Sequence, residues 1–323
     1  MEYGLLPGTD LKVSRACMGT MTFGSQMDET GACKMVDRCL DAGINFFDTA
    51  NSYNKGRSEE ILGCIFKGRR NRVILASKVF NRMGDAPDES GLSRAAMHKA
   101  IDASLSRLET DYFDIYYLHQ PDHKVPLEET LEAMEMLVKQ GKVRYPATSN
   151  YSAWQLSRML WICEKQSWRP PLISQPMYNL LARGIEQEYL PFTKEFGISS
   201  IVYNPLAGGL LTGKQRRASG PMPGTRFDGN QMYLDRYWHD VNFEAVEELA
   251  KIAAGCSRTL VELSLTWVLQ RPGVDGVILG ASRMEQLEDN LRALDGQPLE
   301  PPVLEACDRV WVKLRGPTPK YNR

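Results

Sequence analysis

No hydrophobic run in this chain approaches the roughly 20 residues of a membrane-spanning helix. The opening residues, Met1-Glu2-Tyr3-Gly4, have neither the basic nor the apolar region of a signal peptide. Charge of one sign is also missing: 39 Lys and Arg face 40 Asp and Glu, a net charge of −1. That balance argues against nucleic acid or an anionic membrane as the main partner. The seven cysteines are scattered, odd in number and never spaced Cys-x-x-Cys, a usage that suits the reducing cytoplasm. Only four histidines occur, and no cysteine or acid pattern completes a metal set around His119-x-x-Asp122-His123, so no metal is expected. Oligomeric state is not legible at this level.

What is present is a repeated strand-then-helix rhythm. Short apolar runs at 17–23, 44–47, 73–76, 113–118, 143–148, 172–176, 199–203 and 276–279 read as buried strands. Amphipathic stretches separate them. One runs from Thr30 to a stop at Gly43 and another begins near Arg57. A third is capped by Ser93, and a fourth ends at Gly141. Further helices are expected at 152–164, 185–196, 243–253 and 260–269, from Arg283, and at 304–314, with an N-terminal hairpin around Pro7-Gly8. About eight such units imply a (β/α)₈ barrel filling residues 1–323 as one domain. A doubly wound sheet is the competitor, but no G-x-G-x-x-G follows the first strand. Residues 207–240, rich in Gly, Pro, Arg and Asp, break the rhythm and read as a lid.

The polar residues fall at the C-terminal ends of these strands, where a barrel carries its active site. Asp48 ends the second, Lys78 the third, His119 the fourth, Ser149-Asn150 the fifth, Gln175 the sixth, Tyr203 the seventh, and Gly280 with Ser282 the eighth. A turn between Asp48 and Lys78 carries Tyr53. A free tyrosine has a pKa near 10, and a nearby ammonium lowers it by favouring the phenolate. Tyr53 is thus expected as proton donor, Lys78 as its tuner, Asp48 as the anchor of the ammonium, and His119 as the group that orients a carbonyl oxygen.

The run Asn45-Phe-Phe-Asp-Thr-Ala-Asn-Ser-Tyr53, followed by Glu59-Glu60-Ile-Leu-Gly63, resembles the signature of the aldo-keto reductase superfamily. Asp114-Ile-Tyr-Tyr-Leu-His119-Gln-Pro-Asp122 is similar to its histidine strand, and the likeness runs on to Gln286 and Asn290. Within the superfamily the resemblance is to bacterial reductases similar to potassium-channel beta subunits. It implies NADPH-dependent reduction of an aldehyde or ketone, sugar-like or aromatic, to the alcohol. It also implies that Ser149, Asn150 and Gln175 hold the nicotinamide amide and that Tyr203 stacks on the ring. Leu206 and Gly208 would line the pyrophosphate path, and Gly280, Ser282, Gln286 and Asn290 the adenosine end. Asp289 stands where family members often carry Glu. Lys214, Arg226 and Arg283 are candidates for the 2′-phosphate of NADP; Arg283 leads because it opens a helix.

Two other readings stay open. The resemblance to channel subunits allows a cofactor-binding sensor or regulatory subunit with weak catalysis, and Lys78 allows a Schiff-base aldolase. Gly208-Gly-Leu-Leu-Thr-Gly213-Lys214-Gln215 nearly spells a P-loop, but Gln215 replaces the Ser or Thr that would bind Mg²⁺. Tyr233, Tyr237, Trp238 and His239 could shape a substrate pocket or pack the lid. By position alone, Met21, Phe23, Phe80 and Gln120 are wall candidates.

Overall fold

The computed structural model describes residues 1–317, 319 and 322. A hairpin of β1 (Tyr3–Leu5) and β2 (Lys12–Ser14) precedes eight parallel strands. These are β3 (Ala16–Gly19), β4 (Phe46–Asp48), β5 (Ile74–Val79), β6 (Phe113–Leu118), β7 (Val143–Ser149), β8 (Ile173–Gln175), β9 (Ser199–Val202) and β10 (Gly276–Gly280). They pair in sequence order, and β10 returns to β3 to close the barrel. Around it lie α1 (Glu29–Asp41), α2 (Arg57–Phe66), α3 (Arg94–Arg107), α4 (Leu127–Lys139), α5 (Ala153–Gln166) and α6 (Tyr189–Glu195). The chain then forms α7 (Gln231–Tyr237), α8 (Asp240–Gly255), α9 (Leu260–Leu269), α10 (Met284–Leu294) and α11 (Pro301–Arg315). Among the described residues no single helix is long and apolar enough to cross a membrane.

Period-two alternation sorts each strand into two faces. One face packs under the helices in a large cluster that includes Phe47, Leu75, Tyr116 and Val202. The other fills the barrel with Cys17, Phe46, Ala76, Tyr117, Ala147, Ile173, Ile201 and Ile278, while Leu6, Leu11 and Val13 of the hairpin region plug its base. Two residues further along each chain, on the same face, stand Gly19, Asp48, Lys78, His119, Ser149, Gln175, Tyr203 and Gly280. A single polar layer is therefore stacked directly on an apolar one, and it forms the floor of the barrel mouth.

The expected elements are present, and their bounds or make-up differ in places. The first strand stops at Gly19 instead of running to 23, because the chain turns there: Phe23 N–H donates to Thr20 O at 3.0 Å. The helix expected at 185–196 divides into a 3₁₀ turn, Gly184–Glu186, and α6. Pro191 accounts for the break, since its ring excludes a helical carbonyl four residues earlier. The lid is less irregular than expected: it holds a 3₁₀ segment, Ala207–Thr212, and α7, capped by the Asn230 side chain on Tyr233 N–H. The next helix, α8, starts earlier than expected, at Asp240.

Candidate active site

Lys78 is fully buried at the end of β5, and its Nζ is the hub of the polar layer. It donates to Asp48 Oδ1, to Thr49 O at 2.8 Å and to Tyr53 Oη at 3.2 Å. The other carboxylate oxygen of Asp48 accepts from Gln175 Nε2 at 3.0 Å. An ammonium with three donors thus has three acceptors, and the carboxylate beside it has a partner on each oxygen.

Tyr53 reaches this hub from a 3₁₀ turn, Tyr53–Gly56, in which Asn54, Lys55 and Gly56 all have positive φ (50°, 55° and 92°). Such a turn is held only by specific contacts. Asn54 Nδ2 donates to Met21 O and Phe23 O at 3.0 and 2.6 Å, tying the turn to the loop after β3. A Cβ on Gly56 would lie 2.8 Å from Arg107 Cδ, so glycine lets that arginine lie beneath the turn. Arg107 then pairs with the fully buried Glu59 of α2, which accepts from Ser77 Oγ at 2.6 Å, next to Lys78. One buried ion pair therefore ties the tyrosine turn to the lysine strand.

Burial sets the charge states. It raises the Asp48 carboxyl above its ordinary value, against the pull of Lys78 and Gln175. Burial alone would lower the Lys78 ammonium, but Asp48 and Tyr53 outweigh it and hold the lysine up and charged. For Tyr53 the balance corrects the sequence expectation: burial outweighs the ammonium, so the phenol stands above its usual value and Lys78 only limits the rise. Burial and the Lys78 charge depress His119 to about 3, leaving a neutral imidazole. At neutral pH the site thus holds a protonated phenol, an ammonium and a neutral imidazole.

Above this floor a cleft of about 620 Å³ runs across the barrel mouth and under the lid. Asp48, Tyr53, His119, Ser149, Asn150, Gln175, Tyr203, Leu206, Gly208, Lys214 and Arg226 line it, as do Gly280, Ser282, Arg283, Gln286, Asp289 and Asn290. Of the residues expected in catalysis or cofactor binding, Lys78 alone lies behind its surface. Several are already engaged. Asn150, at φ 63°, donates to His119 O at 2.9 Å and accepts from Tyr203 Oη at 2.7 Å. Ser149 Oγ donates to Gln175 O at 2.9 Å. Gln286 Oε1 accepts from Ser282 N–H at 2.7 Å, Asn290 Nδ2 donates to Gly280 O at 3.2 Å, and Asp289 pairs with Arg292. Lys214, Arg226 and Arg283 have no carboxylate partner among the described residues.

The lid packs on itself through aromatics. Trp238 stacks edgewise on Phe227 and Phe243, and Tyr237 Oη accepts from Asn179 and Asn204 at 3.0 and 2.8 Å. Tyr233 does both jobs: it is buried, yet lines the cleft and accepts from Arg226 Nη1 at 2.9 Å. His239 is exposed, its ring nitrogen 2.7 Å from Asp235 O. Gly208, at φ 68°, brings the lid backbone so close that a Cβ would meet Tyr233 Cδ1 at 2.6 Å. Gln215 fastens the lid, with Nε2 on Thr225 Oγ1 at 3.1 Å and Oε1 on Met222 N–H at 3.1 Å. The Asp122 carboxylate caps the backbone N–H groups of Leu92 and Lys124.

Of the expected wall residues, Met21 and Gln120 line the cleft, whereas Phe23 is fully buried in the outer core and Phe80 packs against that core. Sequence reasoning missed Asn81 and Arg236. Asn81 Nδ2 lies 3.3 Å from His119 Nδ1. Arg236, on α7, opposes the effect of burial on Tyr203 and lies 5.7 Å from the Tyr233 ring centroid. Asn81 follows Lys78 by three residues, a usable signal; Arg236 sits in the aromatic cluster of the lid without one.

The aldo/keto reductase family model matches residues 15–312. The chain is 38% identical to "Aflatoxin B1 aldehyde reductase member 2" of Rattus norvegicus, over 99% of this chain and 88% of that protein. It is 35% identical to a "Probable voltage-gated potassium channel subunit beta" of Oryza sativa, over 96% of this chain and 95% of the other. An uncharacterized oxidoreductase of Bacillus subtilis is likewise 35% identical, with 99% of each chain covered.

Proposed function

The chain belongs to the aldo/keto reductase family, and from that premise we propose that it reduces an aldehyde or ketone to the alcohol with NADPH, Tyr53 giving the proton. The observation that carries this reading is the Tyr53 phenol held 3.2 Å from the buried Lys78 ammonium at the floor of the cleft.

The cleft suits the cofactor. Lys214, Arg226 and Arg283 line it and have no carboxylate partner among the described residues, which fits a dinucleotide carrying a 2′-phosphate. Gly280 is exposed beside Arg226, whose Nη2 a Cβ there would meet at an ordinary contact distance of 3.6 Å. Gln175 spends its N–H on Asp48 and keeps its oxygen for an amide donor, and the Tyr203 ring is fixed by its bond to Asn150. These residues, with Ser149, would hold the nicotinamide end. Leu206 and Gly208 would line the pyrophosphate, and Ser282, Gln286, Asp289 and Asn290 the adenosine.

When bound there, the reduced nicotinamide supplies hydride for the carbonyl carbon. The chain's own residues handle the oxygen. Tyr53 donates its phenolic proton to the developing alkoxide, and His119, neutral, offers a ring N–H to the same oxygen. Lys78 stays charged through Asp48 and shields the tyrosinate that forms, which solvent then reprotonates. The aldehyde in the name of the rat relative supports a carbonyl substrate here. We place the reaction in the cytoplasm, where the seven free thiols would stay reduced.

Titration with NADPH and NADH, followed by turnover on a panel of aldehydes, ketones and sugars, tests this. Tight NADPH binding with turnover supports it. Binding without turnover on any carbonyl favours a second reading, a cofactor-binding regulatory subunit, to which the likeness to channel subunits points. Binding of neither cofactor overturns both.

A further inference from the structure

His119 is gripped on nearly every side. Its backbone N–H donates to Val79 O at 2.9 Å, its carbonyl accepts from Asn150 Nδ2 at 2.9 Å, and its ring meets the Tyr53 ring edge-on at 6.1 Å and 78°. Nδ1 faces Asn81 Nδ2 at 3.3 Å. The same amide nitrogen lies 3.2 Å from the hydroxyl of Ser52, the residue before Tyr53. A carboxamide nitrogen has two hydrogens and no acceptor capacity. With the amide in this orientation, one hydrogen goes to Ser52 Oγ and the other to Nδ1, which is then the unprotonated nitrogen of a neutral ring.

We propose that Asn81 is a positioning residue that selects the Nε2–H tautomer of His119 and ties it to the tyrosine turn. The hydrogen bond at one imidazole nitrogen decides which nitrogen carries the proton. With Nδ1 accepting from Asn81, Nε2 is a donor, the state needed by a ring that shares a carbonyl oxygen with the Tyr53 hydroxyl. In the other tautomer Nε2 would present a lone pair to that oxygen and repel it. Depression of the His119 pKa to about 3 keeps the ring neutral, so the tautomer and not the protonation state is left to be chosen. The link to Ser52 sets the two groups that meet the oxygen, from β4–α2 and β6, through one amide. The catalytic value of the tautomer rests on the reductase reading; its assignment does not.

NMR of the ring nitrogens of histidine-labelled protein reads the tautomer directly, with His119→Gln assigning the signal among four histidines. The wild type should show Nδ1 unprotonated and Nε2 protonated near neutral pH. Asn81→Asp, which presents an acceptor to Nδ1, should move the proton to Nδ1, and Asn81→Ala should give a mixture. Turnover should fall about tenfold in the alanine variant and about 100-fold in the aspartate variant, while NADPH affinity stays within about twofold. A wild-type Nδ1–H tautomer, or one unchanged in Asn81→Asp, would overturn the proposal. If the tautomer follows Asn81 but wild-type protein reduces no carbonyl, the assignment stands and the reductase reading falls.

Discussion

Gln175 donates its side-chain N–H to Asp48 Oδ2 at 3.0 Å, joining β8 to β4 across the barrel mouth between residues 127 positions apart in sequence. The donor lies on the side of the cleft expected to hold a nicotinamide, and the acceptor pairs with the Lys78 ammonium. The proposed cofactor site and the proposed proton-donor site therefore share a hydrogen bond.

Gln175→Leu removes that donor and leaves a lone pair of a buried carboxylate unmet. A hydrogen bond to a charged group contributes about 1.5–3 kcal/mol, so urea unfolding should show a loss of that order. NADPH affinity and turnover should fall together. A variant as stable as wild type would mean that Asp48 finds another partner.

The acid side of the stability profile should carry a signature of His119. Its folded-state pKa is depressed from 6.5 to about 3, because burial and the Lys78 charge disfavour the imidazolium. The unfolded chain binds a proton over that window and the native state does not. The contribution of His119 is therefore fully present above about pH 6.5 and is lost as pH falls toward 3. Wild-type protein should lose more stability over this range than His119→Gln, measured by chemical denaturation. The His119 ring resonances should stay flat between about pH 8 and about pH 5.

Arg283 is exposed at the N-cap of α10, lines the cleft and has no carboxylate partner among the described residues. Removing a guanidinium from a phosphate contact weakens binding by about ten- to 100-fold. Arg283→Ala should raise the Kd for NADPH by that factor and leave the Kd for NADH nearly unchanged. Equal effects on both cofactors would remove Arg283 from 2′-phosphate recognition and leave Lys214 and Arg226 as candidates.

The barrel was legible because its strands are apolar runs that end abruptly in polar residues. Alternation explains why that pattern locates the site: Asp48, Lys78, Ser149, Gln175 and Tyr203 each stand two residues beyond an apolar interior residue, Phe46, Ala76, Ala147, Ile173 and Ile201. Helix α7 was not legible, since seven residues amid glycine and proline carry too little periodicity. The direction of the Tyr53 shift was misjudged because charge neighbours can be read from sequence, whereas the depth of burial that outweighs them comes only with the fold. Asn81 escaped notice because its meaning depends on which ring nitrogen it meets.

The most direct test of the account is Tyr53→Phe, assayed in parallel for NADPH binding and for carbonyl reduction. Phenylalanine keeps the ring packed against His119 and removes only the hydroxyl near Lys78. The account predicts NADPH affinity within about twofold of wild type and turnover lower by about 1000-fold. Turnover close to wild type would contradict it and leave the proton to come from another group.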